Sequence, residues 1–204
     1  RATRQLFFFM ASLFFVLAAS ATHAADEAAT FSNEELDQML APSALYPDSL
    51  LAQVLMAATY PADVVEAAKW SEANPDQQGD TAVNAVADQS WDPSVKSLVA
   101  FPQVLAMMSA KPDDVQRLGD AFLAQPSQVM DRVQFLRNKA QEAGNLETNE
   151  QQKVSTQTDS DQSVIIIEPA QPQTVYVPVY QPTVVYGAWW YPAYPPYYWA
   201  PPRY

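Results

Sequence analysis

Eighteen residues, Trp91 to Met108 (WDPSVKSLVAFPQVLAMM), limit what this chain can fold into more than any others. Trp91, Val95, Leu98 and Val99 recur at helical spacing, and Phe101, Val104, Leu105 and Met108 repeat the pattern after Pro102. That is one apolar helix face on each side of a proline. Lys96 is the single charge after Asp92, so both halves have to be covered by other parts of the chain. A proline between the runs breaks the backbone into two helices. The stretch reads as the core hairpin of an all-helical domain.

The flanking sequence supplies the rest of that domain. Ser32 and Glu35 have the spacing of a capping box for a first helix through Met39 and Leu40. Ala41 to Asp48 (APSALYPD) holds two prolines and reads as an extended turn. Asp48 then starts a helix whose inward face is Leu51, Val54, Leu55 and Ala58. Pro61 opens the next, with Val64, Val65 and Ala68 inward, and Asn74-Pro75 ends it. A weak Ala-rich helix follows from Asp80 to Asp88. Three helices share Pro-x-x-Val at their starts: Pro61/Val64, Pro112/Val115 and Pro126/Val129. Proline presets the first turn, and valine is the first residue to reach the core. The spacings are irregular, which excludes a repeat solenoid. Residues 31–144 therefore form one bundle, closing near Gly144 as a helix-terminating residue.

Composition then changes twice. Residues 145–162 are polar and read as a linker with nothing to bury. Residues 163–187 are rich in Val, Ile and Tyr and read as a β-ribbon. It carries a ten-residue repeat, Gln171–Tyr176 (QPQTVY) against Gln181–Tyr186 (QPTVVY). Proline confines such runs to edge strands. A ribbon this small is marginal alone, so it has to pack on the helices, pair with another chain or order on binding. Residues 188–204 are almost all Trp, Tyr, Pro and Ala and read as a disordered, polyproline-like low-complexity tail that is expected to continue past Tyr204. The fold class is thus mainly α: a compact bundle of short Pro-initiated helices, a small β-ribbon and a Pro/Tyr/Trp-rich disordered tail. Aromatics interleaved with proline suit docking on a groove, a glycan or a membrane interface. The candidate interaction surface is Tyr176, Tyr180, Tyr186, Trp189, Trp190, Tyr191, Tyr194, Tyr197, Tyr198 and Trp199.

Residues 1–25 read as a signal peptide. Arg1 and Arg4 precede an apolar run from Leu6 to Ala19, and small residues allow cleavage after Ala21 or Ala24. The run is shorter than the roughly twenty residues a bilayer span needs. The chain does not open with Met, so residues are expected before Arg1. The net charge is −12, and without Arg1 and Arg4 it is −14. No basic stripe exists to displace counterions from nucleic acid or to hold anionic lipid. There is no cysteine, and the single histidine, His23, lies in the leader. Once exported, the chain would lack Ser-His-Asp and Cys-His catalysis and the usual zinc ligands. Four glycines make no phosphate loop, so no cofactor or metal is expected. Paired-carboxylate chemistry leaves Asp48, Asp63, Glu66, Asp92, Asp113 and Asp114 as candidates by type. Asp48, Asp92, Asp113 and Asp114 are better explained as helix-start acids.

Four pieces carry a resemblance. They are LDQMLAPSALYPDSLLAQVLMAATYPADVVEAAKW from Leu36, WDPSVKSLVAFPQVLAMM, GDAFLAQPSQVMDRVQFLRNKAQEAGNL and IIIEPAQPQTVYVPVYQPTVVYG. Together they resemble a bacterial family catalogued only as a domain of unknown function, number thirty-three hundred in that series. The resemblance implies an exported protein of Gram-negative bacteria and brings no activity or catalytic residues. The residues thus point to a non-catalytic envelope protein, periplasmic or envelope-associated, that binds an envelope protein or cell-wall component through ribbon and tail, with peripheral membrane contact through the aromatics. The alternative is a glycan-directed protein using Trp70 and Trp91 with nearby carboxylates.

Overall fold

The computed structural model describes residues 30–159 and 162–202; the expected leader, with His23, lies outside them. Eight helices come first: α1 (Asn33–Leu40), α2 (Asp48–Ala58), α3 (Pro61–Ala73), α4 (Gly79–Ala85), α5 (Pro93–Leu98), α6 (Pro102–Ser109), α7 (Pro112–Ala124) and α8 (Pro126–Glu142). An antiparallel hairpin follows, β1 (Gln152–Asp159) and β2 (Gln162–Pro169), and then a single helical turn, α9 (Pro182–Val185). The protein is mainly helical with one small two-stranded sheet. Among the described residues no helix is long and apolar enough to cross a membrane.

Local chemistry sets the starts. Glu35 and Ser32 exchange both capping-box bonds at α1, and Asp92 accepts from the Ser94 amide at α5. Proline occupies the first turn of α3, α5, α6, α7 and α8, where its missing N–H removes nothing from the helix. Gly144 takes φ +74° just past α8, a backbone only glycine adopts cheaply. The central stretch is buried as its spacing requires: Trp91, Val95, Leu98, Val99, Val104, Leu105 and Met108 are all core residues. In α3 Val64 points inward as expected, but Ala67 and Ser71 complete the buried face, leaving Val65 and Ala68 half-buried beside α6.

One crossing is closer than side chains allow. A Cβ at Gly119 of α7 would lie 2.1 Å from the Ala58 carbonyl oxygen at the end of α2. Gly119→Ala would gain about 1 kcal/mol of helix propensity, yet overpacking costs about 1–3 kcal/mol or more, and here the obstacle is backbone. We expect a net loss of about 2 kcal/mol, read as a lower Tm in thermal melts. An unchanged or higher Tm would mean that the two helices part freely.

The residues after the bundle depart from expectation. The segment 145–162, read as a polar linker, contains β1. Leu146 is buried, Asn149 Oδ1 accepts from the amides of Gln151 and Gln152, and β1 pairs along its length with the Val/Ile-rich β2, Val154 opposite Ile167 and Thr156 opposite Ile165. A strand that borrows its apolar support from its neighbour needs little of its own. The ribbon read over 163–187 keeps only β2 as strand. The two repeat copies then diverge, a tight turn bridging Gln171 and Thr174 in one and α9 in the other.

The sheet packs back on the helices. Ile165 and Ile167 are buried. The Ile165 amide donates to Gln134 Oε1 at 2.8 Å, and its carbonyl accepts from Arg137 Nη1 at 2.9 Å. These bonds close the outer edge of β2 at its centre. On β1, Thr148 Oγ1 accepts from the Val154 amide and donates to its carbonyl. Strand addition, one route the sequence left open, is blocked at both positions.

Candidate functional site

The tail meets the bundle at Trp190. Asp37 lies on the buried face of α1, between Leu36 and Met39, with no accessible surface. A carboxylate is tolerated there because Arg132 of α8 binds it with both prongs, Nε to Oδ1 at 2.6 Å and Nη2 to Oδ2 at 2.7 Å. Such paired charged bonds are among the strongest a side chain makes. The Trp190 indole N–H donates to Asp37 Oδ2 at 3.3 Å. Burial pushes the Asp37 carboxyl up, and the Arg132 bonds draw it back. Phe135, one turn on from Arg132, completes the seat. The Arg132 guanidinium sits 3.8 Å from its ring centroid, and Trp190 meets it edge-on at 5.4 Å. Trp189 stacks on Trp190 at 4.5 Å. Contacts of this type contribute about 0.5–1.5 kcal/mol each beyond burial.

From that seat the chain runs over α1. Gln38 Nε2 donates to the Pro195 carbonyl at 2.6 Å, and the Gln38 carbonyl accepts from the Tyr197 amide at 3.0 Å. Trp199 is buried, and its indole N–H has no acceptor among the described residues. Pro202 reaches the wall of a groove of about 750 Å³ between α3 and α6, shared with Val65, Ala68, Lys69, Pro102 and Ala106. The tail was expected to be disordered. Over residues 187–202 it has neither helix nor strand, as its prolines require, but its rings and two backbone bonds hold it to the bundle.

A second anchor precedes it. The Tyr186 hydroxyl donates to the Ala41 carbonyl at 2.8 Å and lies 3.4 Å from the Tyr180 hydroxyl, which accepts from the Leu45 amide at 3.3 Å. Tyr46 is buried in the same turn. Burial pushes all three phenols well above the ordinary tyrosine range.

The ten expected interaction residues therefore divide. Tyr186 and Trp199 are buried; Tyr180, Trp189, Trp190, Tyr191 and Tyr197 are half-buried; Tyr176, Tyr194 and Tyr198 are exposed. Four of the six candidate carboxylates have structural partners. Glu66 accepts from the Trp91 indole N–H at 3.1 Å and Asp63 from the Asp92 amide at 3.1 Å. The Ser94 side chain holds the Asp92 carboxyl below its usual range. Asp48, expected as a cap, makes no cap bond and instead pairs with Arg137 at 2.6 Å. Among the described residues no three His, Cys, Asp or Glu side chains gather as metal ligands.

Asp37, Gln38 and Arg132 escaped the sequence reading. The available signal was an acid inside the Leu36/Met39/Leu40 face, and an arginine beside Val133 of the inward stripe of α8.

A relative from Escherichia coli (strain K12), described as "Uncharacterized protein YacH", is 50% identical over 200 residues, covering 84% of this chain and 32% of the relative. The chain thus spans about a third of that relative's length. No solved structure matches it. The family model described as "Protein of unknown function (DUF3300)" matches residues 32–204, which take in the whole bundle, the hairpin and the aromatic segment, and the chain belongs to that family.

Proposed function

We propose that this is an exported, non-catalytic protein of the cell envelope that presents its aromatic-proline segment to an envelope protein or cell-wall component. One observation carries the reading. Tyr176, Val179, Val184, Tyr194 and Tyr198 are exposed apolar side chains on a segment whose Tyr186, Trp190 and Trp199 hold it to a rigid bundle. Exposed rings on an anchored backbone lose little freedom when they dock, so more of their contact energy is kept as affinity. The engagement of Asp63, Glu66 and Asp92 in holding α3 to the start of α5 supports a structural use of those acids.

The test is retention on purified cell envelopes. A triple variant, Tyr176→Ser, Val179→Ser and Tyr194→Ser, is expected to co-sediment at least tenfold less than the unmodified chain while its Tm stays the same. Equal co-sedimentation would overturn the reading.

A further inference from the structure

We propose that the seat formed by Asp37, Arg132 and Phe135 is a receptor for an indole carried on an extended, proline-bounded peptide, and that a second copy of this chain can supply that peptide by exchanging its aromatic segment. The chemistry of the seat defines the ligand. A buried carboxylate accepts one N–H, an aromatic edge-to-face contact fixes the ring, and the Gln38 side chain and carbonyl take the backbone that follows. Phenylalanine at that place would offer no donor to Asp37, and tyrosine only an O–H at the tip of a narrower ring, so the seat favours an indole.

Two features of the segment suit exchange between copies. First, within residues 188–202 the internal hydrogen bonds among the described residues are confined to the turn over 189–194. Outside that turn the segment's hydrogen-bond partners come from the bundle, as those of a bound peptide would. Second, it hangs from a defined hinge. Tyr186 is locked by its hydroxyl, Gly187 sits at φ +75°, and Ala188 is exposed. The four residues from Tyr186 to Trp190 can span about 14 Å, so a swapped pair would face each other around this end. Exchange of an identical element is a low-cost route to a dimer, and the tether keeps the segment at home until copies are concentrated. The inference uses the inward residues of the segment, whereas envelope binding uses the outward ones, so the two can fail separately.

The experiment is complementation between two full-length variants. Trp190→Ala keeps the seat and lacks the indole. Asp37→Ala keeps the indole and lacks the seat, with Phe135→Ala as a second seat variant should the unpaired Arg132 prevent folding. In sedimentation velocity each variant alone is expected to run as a monomer, and the equimolar mixture as a one-to-one dimer. The chain carrying both Trp190→Ala and the seat substitution is expected to join neither. Folded variants that stay monomeric when mixed would overturn the proposal, as would a Trp190→Ala chain that dimerises alone.

Discussion

Arg137→Met is expected to cost about 5 kcal/mol and to release the hairpin from the helices. Arg137 is the largest fully buried side chain among the described residues, 1% exposed on α8 between Leu136 and Ala140. Its Nε donates to the Ala44 carbonyl at 2.9 Å, Nη1 to the Ile165 carbonyl at 2.9 Å and Nη2 to the Tyr46 carbonyl at 3.1 Å. One guanidinium thus ties the turn before α2, α8 and β2 together. Methionine would fill much of the volume and leave the Ala44 and Tyr46 carbonyls without their donor, while the Ile165 carbonyl would keep only Gln134 Nε2 at 3.2 Å. Each buried polar group left unsatisfied costs about 1–3 kcal/mol. The Asp48 pair adds less than a buried pair would, because that carboxylate is about half exposed. A domain of this kind has only about 5–15 kcal/mol in total, so the variant would sit close to unfolding. Urea melts would give the loss, and amide exchange at Ile165 and Ile167 would show whether the hairpin leaves first. Arg137→Lys should recover less than half, since one ammonium cannot span the fork's separate acceptors. A loss below about 1 kcal/mol would show that water reaches the carbonyls and that the tie is dispensable.

Arg137 also shows where sequence reading stops. The helices were legible because their signals are local: proline in five first turns, a capping box at Ser32, glycine after α8. Their apolar faces were legible because periodicity is local too. The pairing of β1 with β2 was not, because the support for Ser155, Thr156 and Gln157 stands on the opposite strand. The same holds for Asp37 and Arg132, ninety-five positions apart, and for Arg137 with Tyr46, ninety-one apart. Neither half of such a pair announces itself, since a charged residue on an apolar face normally argues against burial. The tail is the sharpest instance. Its proline content correctly argued against helix, but composition says nothing of Gln38 or Asp37, which give its backbone and its indole their partners. The candidate surface is mixed in orientation: Tyr176, Tyr194 and Tyr198 face outward, and Tyr186 and Trp199 face in.

Alkali should unfold this protein steeply, through Tyr46, Tyr180 and Tyr186. Burial raises each phenol above its ordinary value in the folded state, whereas in the unfolded chain each loses its proton near pH 10. Below that pH both states hold these protons, and the three contribute no pH dependence. Above it the unfolded state binds fewer protons than the folded one, so stability falls by about 1.4 kcal/mol per pH unit for each group, about 4 kcal/mol for the three. Against a total of about 5–15 kcal/mol, about one unit above pH 10 would suffice at the low end and nearly four at the high end. Phenolate absorbance from these side chains should then rise together with the loss of helical circular dichroism. Tyr186→Phe removes one of the three protons and should lower the slope of stability against pH by about a third, whatever its effect at neutral pH through the lost bond to the Ala41 carbonyl. If the slope is unchanged, or if these phenolates form while the helices persist, the hydroxyls reach solvent without unfolding, and the Tyr180–Tyr186 anchor that precedes the hinge at Gly187 opens far more easily than its burial implies.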